Sequence, residues 1–217
     1  MQREIVNLIV LLLLTIGTLN TIPSNEVSYK DVDVESKSDE IVTLPKETGS
    51  TELLVENLVD ATPEFGELID WKDAQILIPN NSIIRVVDLN TRKSFNIKRT
   101  FGTNHLDGEA VTLADSDIIK SIWNGFSWTR RPVIVSINNK HIAASMSAMP
   151  HAGVDSAPAV AVVKSRSDGY GTGENLDAVK DNGMDGVIDI HFYNSKHHKD
   201  NKPDPMHAEA ILKAAGQ

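Results

Sequence analysis

Residues 132–146 read PVIVSINNKHIAASM, two β-branched apolar runs that meet at Asn138-Asn139. Asparagine tolerates the positive φ that tight turns impose, so this pattern predicts a β-hairpin. A hairpin cannot stand alone in water and needs further strands or a helix against its apolar face. The sequence offers them as short runs bounded by Asn, Gly, Pro or Asp: 75–79 (QILIP), 82–89 (SIIRVVDL), 94–100 (SFNIKRT), 160–163 and 186–192 (GVIDIHF). Two segments carry helical spacing instead. Residues 114–124 place Ile118, Ile119 and Ile122 on one stripe, with Asp115 or Ser116 as cap and Gly125 as stop. Residues 204–215 begin Asp204-Pro205, an N-cap followed by proline at the first helical position, and end before Gly216. Residues 176–180 allow a single helical turn. Strands outnumber helices, so the expected class is α+β: a curled sheet or barrel-like sandwich with two helices, spanning 71–217.

Two other segments precede that domain. Residues 1–22 combine Arg3 with an apolar run at 5–14 broken only by Asn7, the pattern of a signal peptide or an N-terminal anchor. The run is shorter than the ~20 residues of a membrane span. Residues 23–70 hold thirteen acidic side chains against three lysines, whereas 71–217 hold sixteen acidic against seventeen basic. The formal charge of -9 therefore belongs to an acidic linker, expected to be mostly disordered and self-repelling. Within it, residues 51–59 (TELLVENLV) have the spacing of one short amphipathic helix. This pattern predicts a secreted chain or one anchored on the extracytoplasmic face, touching membrane only through its N-terminal segment. An acidic chain is not expected to bind nucleic acid. The absence of cysteine excludes disulfide scaffolds, thiolate zinc sites and thiol-based catalysis.

Chemistry-bearing residues cluster at punctuated places. His105 and Asp107, with Glu109 beyond them, lie in a segment read as a loop after the third strand. His151 sits on a turn shaped by Pro150 and Gly153. Asp189 and His191 alternate on one strand face, opposite Ile188, Ile190 and Phe192. Imidazole and carboxylate are the usual ligands of a hydrolytic zinc, commonly three protein groups with one position left for water. The candidate metal ligands are His105, Asp107, His151, Asp189, His191 and His207. The candidate catalytic residues are His151, Asp189 and His191, with Glu109 or Asp107 taking a proton. His191 oriented by Asp189 as a general base is the metal-free alternative. Ser145 and Ser147 are the nearest hydroxyls, without a nucleophile-elbow motif around them. His197-His198 lies in a polar stretch and reads as solvated loop, and the glycines of 169–173 (GYGTG) lack the context of a phosphate loop. Trp123, Phe126 and Trp128 read either as core or as a stacking surface, beside Arg130 and Arg131, which suit an anionic polymer.

The blocks WTRRP, MPHAG and DIHF, spread over 71–217, together resemble a module of uncharacterised activity in secreted proteins of Gram-positive bacteria. That resemblance implies a cell-envelope setting, with peptidoglycan or another wall polymer as partner. In that module a histidine commonly stands where this chain has Val187, giving a His-x-Asp-x-His strand. A looser similarity to the L,D-transpeptidases matches His151 to their His-Gly turn and puts Asp189 near their cysteine, so their thioester chemistry does not carry over. The expectation is a cell-envelope domain acting as a zinc-assisted peptidoglycan hydrolase, or else a non-catalytic wall-binding or structural module.

Overall fold

The computed structural model describes residues 62–217. The leader, the linker up to 61 and the helix expected at 51–59 lie outside the described residues. The elements are α1 (Trp71–Leu77), β1 (Ile83–Asp88), β2 (Ser94–Phe101), β3 (Leu106–Ala110), α2 (Leu113–Trp123), β4 (Arg131–Ile137), β5 (Lys140–Met146), β6 (His151–Ala152), β7 (Val162–Arg166), β8 (Gly171–Glu174), β9 (Gly186–His191) and α3 (Pro205–Ala214). No helix of the described residues is long and apolar enough to cross a membrane.

The strand order is β3-β2-β1-β4-β5-β9-β6, and β3 also pairs with β9. Six strands therefore close into an antiparallel barrel, which leaves them no free edge, while β6 adds to β9 outside the ring. The hairpin expected at 132–146 is β4–β5. Its two-residue turn holds Asn138 and Asn139 at φ 47° and 62°. Alternation fills the barrel interior with Val86, Ile97, Leu106, Val135, Ala144, Ile188 and Ile190. The opposite face of β4 and β5 is covered by α3, through Ala210, Ile211 and Ala214.

The helices differ from expectation in number and in one cap. Of residues 75–79, read as a strand, 75–77 belong to helix α1 and Ile78 is its C-cap; the helix starts because the Asp70 side chain accepts from the Lys72 amide. Trp71, Ala74 and Ile78 point into the core while Ile76 stays exposed, a helical division of an apolar run too short to show its period. The cap of α2 is Thr112, whose hydroxyl accepts from the Asp115 amide while the Asp115 carboxylate accepts from the Thr112 amide. α3 begins as expected on Asp204 and Pro205.

Residues 62–70, assigned to the linker from composition, pack on the barrel. Glu67 bridges to Ile142 in parallel, with N–H···O distances of 2.7 and 2.8 Å, and Arg85 reaches the Thr62 hydroxyl at 2.7 Å. The folded unit thus begins before the boundary drawn at Trp71.

Candidate functional site

Strand register assembles the site. β3 pairs with β9 so that Asp107 lies directly opposite Asp189, while β5 sets Ser145 opposite His191 and β6 sets His151 opposite Val187. Because side chains alternate, Ile188 and Ile190 enter the barrel while Asp189 and His191 emerge together outside it. Most of 105–109, read as a loop, lies in strand β3, buried on both faces: Leu106 and Ala110 face the core, and Asp107 and Glu109 face the site side. His151 is brought in by the tight apposition of β6 and β9. Gly186, at φ 102°, lies so close to Gly153 that a Cβ on either would overlap the other's backbone. Ala152, at φ 59°, holds a left-handed conformation unusual for a residue with a Cβ.

Two carboxylates opposite each other repel unless a cation lies between them. His105 Nε2 is 2.9 Å from Asp107 Oδ1 and 3.4 Å from Asp189 Oδ1, and His151 Nε2 is also 3.4 Å from Asp189 Oδ1. Both rings have their tautomer set from behind. His105 Nδ1 donates to the Lys196 carbonyl (2.8 Å), and His151 Nδ1 donates to the Met149 carbonyl (3.0 Å). A carbonyl only accepts, so each neutral ring carries its proton on Nδ1 and turns a bare Nε2 toward the carboxylates. The short contacts are close in distance but misaligned for hydrogen bonds: His105 Nε2, Asp107 Oδ1, Asp189 Oδ1 and His191 Nε2 are all buried without a hydrogen-bond partner.

His191 is stacked between His105 (ring centroids 4.2 Å) and His207 (3.8 Å, nearly parallel). Burial first, and then the charges of His207 and His105, hold its pKa far below the usual imidazole value, so it remains neutral and able to ligate. Burial likewise pulls His207 down to about 3. Burial also opposes charge on His105, but the neighbouring Asp107 and Asp189 outweigh it and push its pKa up to about 10. Those carboxylates are pulled below their ordinary range by the same contacts, against their own burial. The cluster thus demands positive charge between Asp107 and Asp189, from an imidazolium or from a metal.

Donor atoms of His105, Asp189 and His191 lie within 4.8 Å of one another, as do those of His105, Asp107 and His198. These buried His/Asp groups could hold a metal ion. Tetrahedral N/O donors at about 2.0–2.2 Å from zinc stand roughly 3.3 Å apart, close to the His105–Asp189 spacing. The cluster forms one wall of a cleft of about 910 Å³, whose lining includes Trp128, Arg130, His151, Arg166 and Tyr170. Trp128 and Tyr170 lie against His151, at 5.1 and 4.9 Å between ring centroids.

The sequence-derived candidates separate in space. His105, Asp107, His151, Asp189 and His191 converge. His207 stands behind His191, sharing a 2.8 Å hydrogen bond with Ser145 Oγ. Glu109 is fully buried beyond the cluster, where its carboxylate accepts from the Ala178 and Val179 amides at 3.0 Å. Of the aromatic and basic group, Trp128 and Arg130 line the cleft. Trp123 is buried against Phe95 and donates to the Thr129 carbonyl, and Phe126 packs at the core margin under Lys120. Arg131 is tied to Asp88.

Sequence reasoning read His197 and His198 as solvated loop, and Asp204 as a helix cap without its part beside the site. His198 Nε2 donates to Asp107 Oδ2 (3.2 Å) from the cleft mouth, and its ring leans on His105. Asp204 caps α3 through the Met206 and His207 amides while its other oxygen accepts from Arg130 and His197. The doublet's position six residues past the Asp-x-His strand was the available signal.

Glu109 yields a pH prediction. Burial, reinforced by the Asp177 charge, pushes its pKa up to about 7 despite the two amide donors. A carboxyl whose folded pKa exceeds its unfolded value contributes stability fully present below about pH 4.5 and lost as pH rises through about 7. Glu109→Gln removes that titration, so the variant is expected to gain about 3 kcal/mol on wild type between pH 5 and pH 8. Urea unfolding of both proteins at the two pH values measures it, and a constant difference would refute the assignment.

A closed antiparallel barrel with a His/Asp cluster on its outer face, open to a cleft, defines a candidate metal-binding domain. Comparison with family models, curated proteins and solved structures finds no match.

Proposed function

We propose that the cleft binds zinc and hydrolyses an amide bond of cell-wall peptidoglycan, in a chain that is secreted or held at the extracytoplasmic face. The observation that carries this reading is the set of buried, unpartnered atoms His105 Nε2, Asp189 Oδ1 and His191 Nε2 beside an open cleft. Buried polar atoms without partners are costly, and a cation satisfies all three together. Two imidazoles and a carboxylate, with no thiolate in the chain, form the donor set of a hydrolytic zinc, which would take the place of the proton held by His105 between the carboxylates. The apolar segment at 1–22, the acidic stretch after it and the likeness of the WTRRP, MPHAG and DIHF blocks support the envelope setting.

His105, Asp189 and His191 would hold the ion, with Asp107 beside them on the neighbouring strand. When bound, zinc polarises a carbonyl and lowers the pKa of a coordinated water to about 7. Asp107 would be the carboxylate that takes a proton from that water. His198, exposed at the cleft mouth with Nε2–H donated to Asp107, would give that proton to the leaving amine as the C–N bond breaks and hydroxyl joins the acyl carbon, and would regain one from Asp107. His151, its Nδ1 proton held by the Met149 carbonyl, turns Nε2 to within 3.4 Å of Asp189 Oδ1 and so offers a further nitrogen beside the site.

Purified full-length protein is expected to carry close to one equivalent of zinc by elemental analysis and to clear peptidoglycan in a zymogram. A metal-free, fully folded wild type would overturn the zinc reading. The competing reading is a non-catalytic wall-binding module, favoured by Trp128, Tyr170 and Arg166 along the cleft. Pull-down on isolated cell walls without clearing would select it.

A further inference from the structure

Strand β9 lies between β3 and β5, so Asp189 has a neighbour on each side. Asp107 stands opposite it on β3. On the β5 side, Ser145 pairs with His191 and Met146 with Ile190. The Ser147 amide then donates to the Asp189 carbonyl at 3.1 Å, which carries that register one residue further. Met146 and Ala148 belong to the core, so alternation turns Ser147 to the side of the sheet that carries Asp189 and His191. Asp107, Asp189 and Ser147 therefore form one row across three strands.

The two serines of this segment differ in what their hydroxyls do. Ser145 Oγ shares its 2.8 Å hydrogen bond with His207 Nδ1. Ser147 is completely buried, and its Oγ has no hydrogen-bond partner. A buried hydroxyl without a partner lowers stability, and alanine would fill the same space without that cost. Asp189 Oδ1, across the strand pair, is buried and without a partner as well. Opposed residues on neighbouring strands hold their Cβ atoms roughly 4.5–5.5 Å apart, which leaves a serine hydroxyl within reach of the carboxylate facing it. Ser147 does not line the cleft, so it cannot meet substrate and has to act through another group.

We propose that Ser147 is a positioning residue for the Asp189 ligand: in zinc-loaded protein its hydroxyl donates to the Asp189 carboxylate and holds it toward the ion. This role rests on the zinc half of the reading above and not on the substrate. Ligating carboxylates are themselves hydrogen-bonded, and they need a donor for it. His105 and His151, the rings beside Asp189, turn bare Nε2 atoms toward it when neutral and have no proton there to give. Ser147 has one.

The test compares full-length wild type with Ser147→Ala in two measurements: zinc affinity, by competition with a chromophoric chelator, and urea unfolding of the metal-free proteins. The variant is expected to bind zinc about 10- to 100-fold more weakly. Its metal-free form is expected to unfold at the same urea concentration as wild type or a higher one, because the lost hydroxyl had no partner. Zinc affinity equal to wild type would overturn the positioning role and leave the metal site standing. A metal-free variant less stable than wild type would assign the hydroxyl to the fold, and would overturn the role as well. Wild type that takes up no zinc would sink the metal site and this role together.

Discussion

Replacing His191 with alanine is expected to reduce bound zinc to background and to lower peptidoglycan clearing by at least about a hundredfold, since even outer-shell partners of metal ligands are worth 10- to 100-fold. The side chain is nearly inaccessible, is held neutral by burial and by its charged neighbours, and leaves Nε2 without a hydrogen-bond partner. Its removal deletes one of three donors and the ring on which His105 and His207 stack. The variant should still fold, because Ile188, Ile190 and Phe192 on the opposite face keep the core filled. His141→Ala is the control. That residue hydrogen-bonds Ser136 at the far end of the β4–β5 hairpin, and its loss should leave zinc and clearing as in wild type. Full zinc content in folded His191→Ala would remove the metal centre from this strand.

Asp88→Ala is expected to destabilise the domain by about 3–5 kcal/mol, the cost of leaving one member of a buried ion pair alone. Asp88 is completely buried at the end of β1. It accepts from Arg131 Nε and Nη2 at 2.8 and 2.9 Å and from the Thr91 amide and hydroxyl, both at 2.8 Å. Burial alone would raise its pKa, but the Arg131 and Thr91 bonds outweigh it and hold the carboxyl below its usual value. The substitution strands the guanidinium, which lies 5.4 Å from the Trp123 ring centre, and loosens the turn that leads into β2. Chemical unfolding measures the loss. The double replacement Asp88→Leu with Arg131→Met should recover much of it, because no buried charge remains unpaired. A loss below 1 kcal/mol in Asp88→Ala would mean that Arg131 finds water instead. A loss of the expected size would assign Arg131 to holding the barrel.

The elements legible in the sequence are those whose signal is local. Asn138-Asn139 between two alternating runs specifies a tight hairpin, and Asp204-Pro205 specifies a helix start, because each feature satisfies its own backbone within a few residues. The alternation of Ile188, Asp189, Ile190 and His191 likewise announced a strand with one apolar and one chemical face. Two misreadings have a common origin. Strand β3 looked like a loop because its polar residues are buried by distant partners, Asp107 by the histidine cluster and Glu109 by the Ala178 and Val179 amides. Helix α1 looked like a strand because Ile76 and Leu77 at its end run on into Ile78, and seven residues are too few to reveal a 3.6-residue period.

By itself the sequence determined that the chain is strand-rich, that it excludes thiol chemistry, and that its negative charge lies ahead of a near-neutral domain. It also determined which residue types could form a site, since His105, Asp107, His151, Asp189 and His191 were identifiable one at a time. Only the tertiary structure decided that they meet. The β3–β9 and β6–β9 registers, which pair residues up to 84 apart in the chain, put Asp107 opposite Asp189 and bring His151 alongside. A shift of one residue in either pairing would send the same side chains to the other face. It also decided that His198 belongs with them while Glu109 does not, because burial and register depend on the whole ring of strands closing.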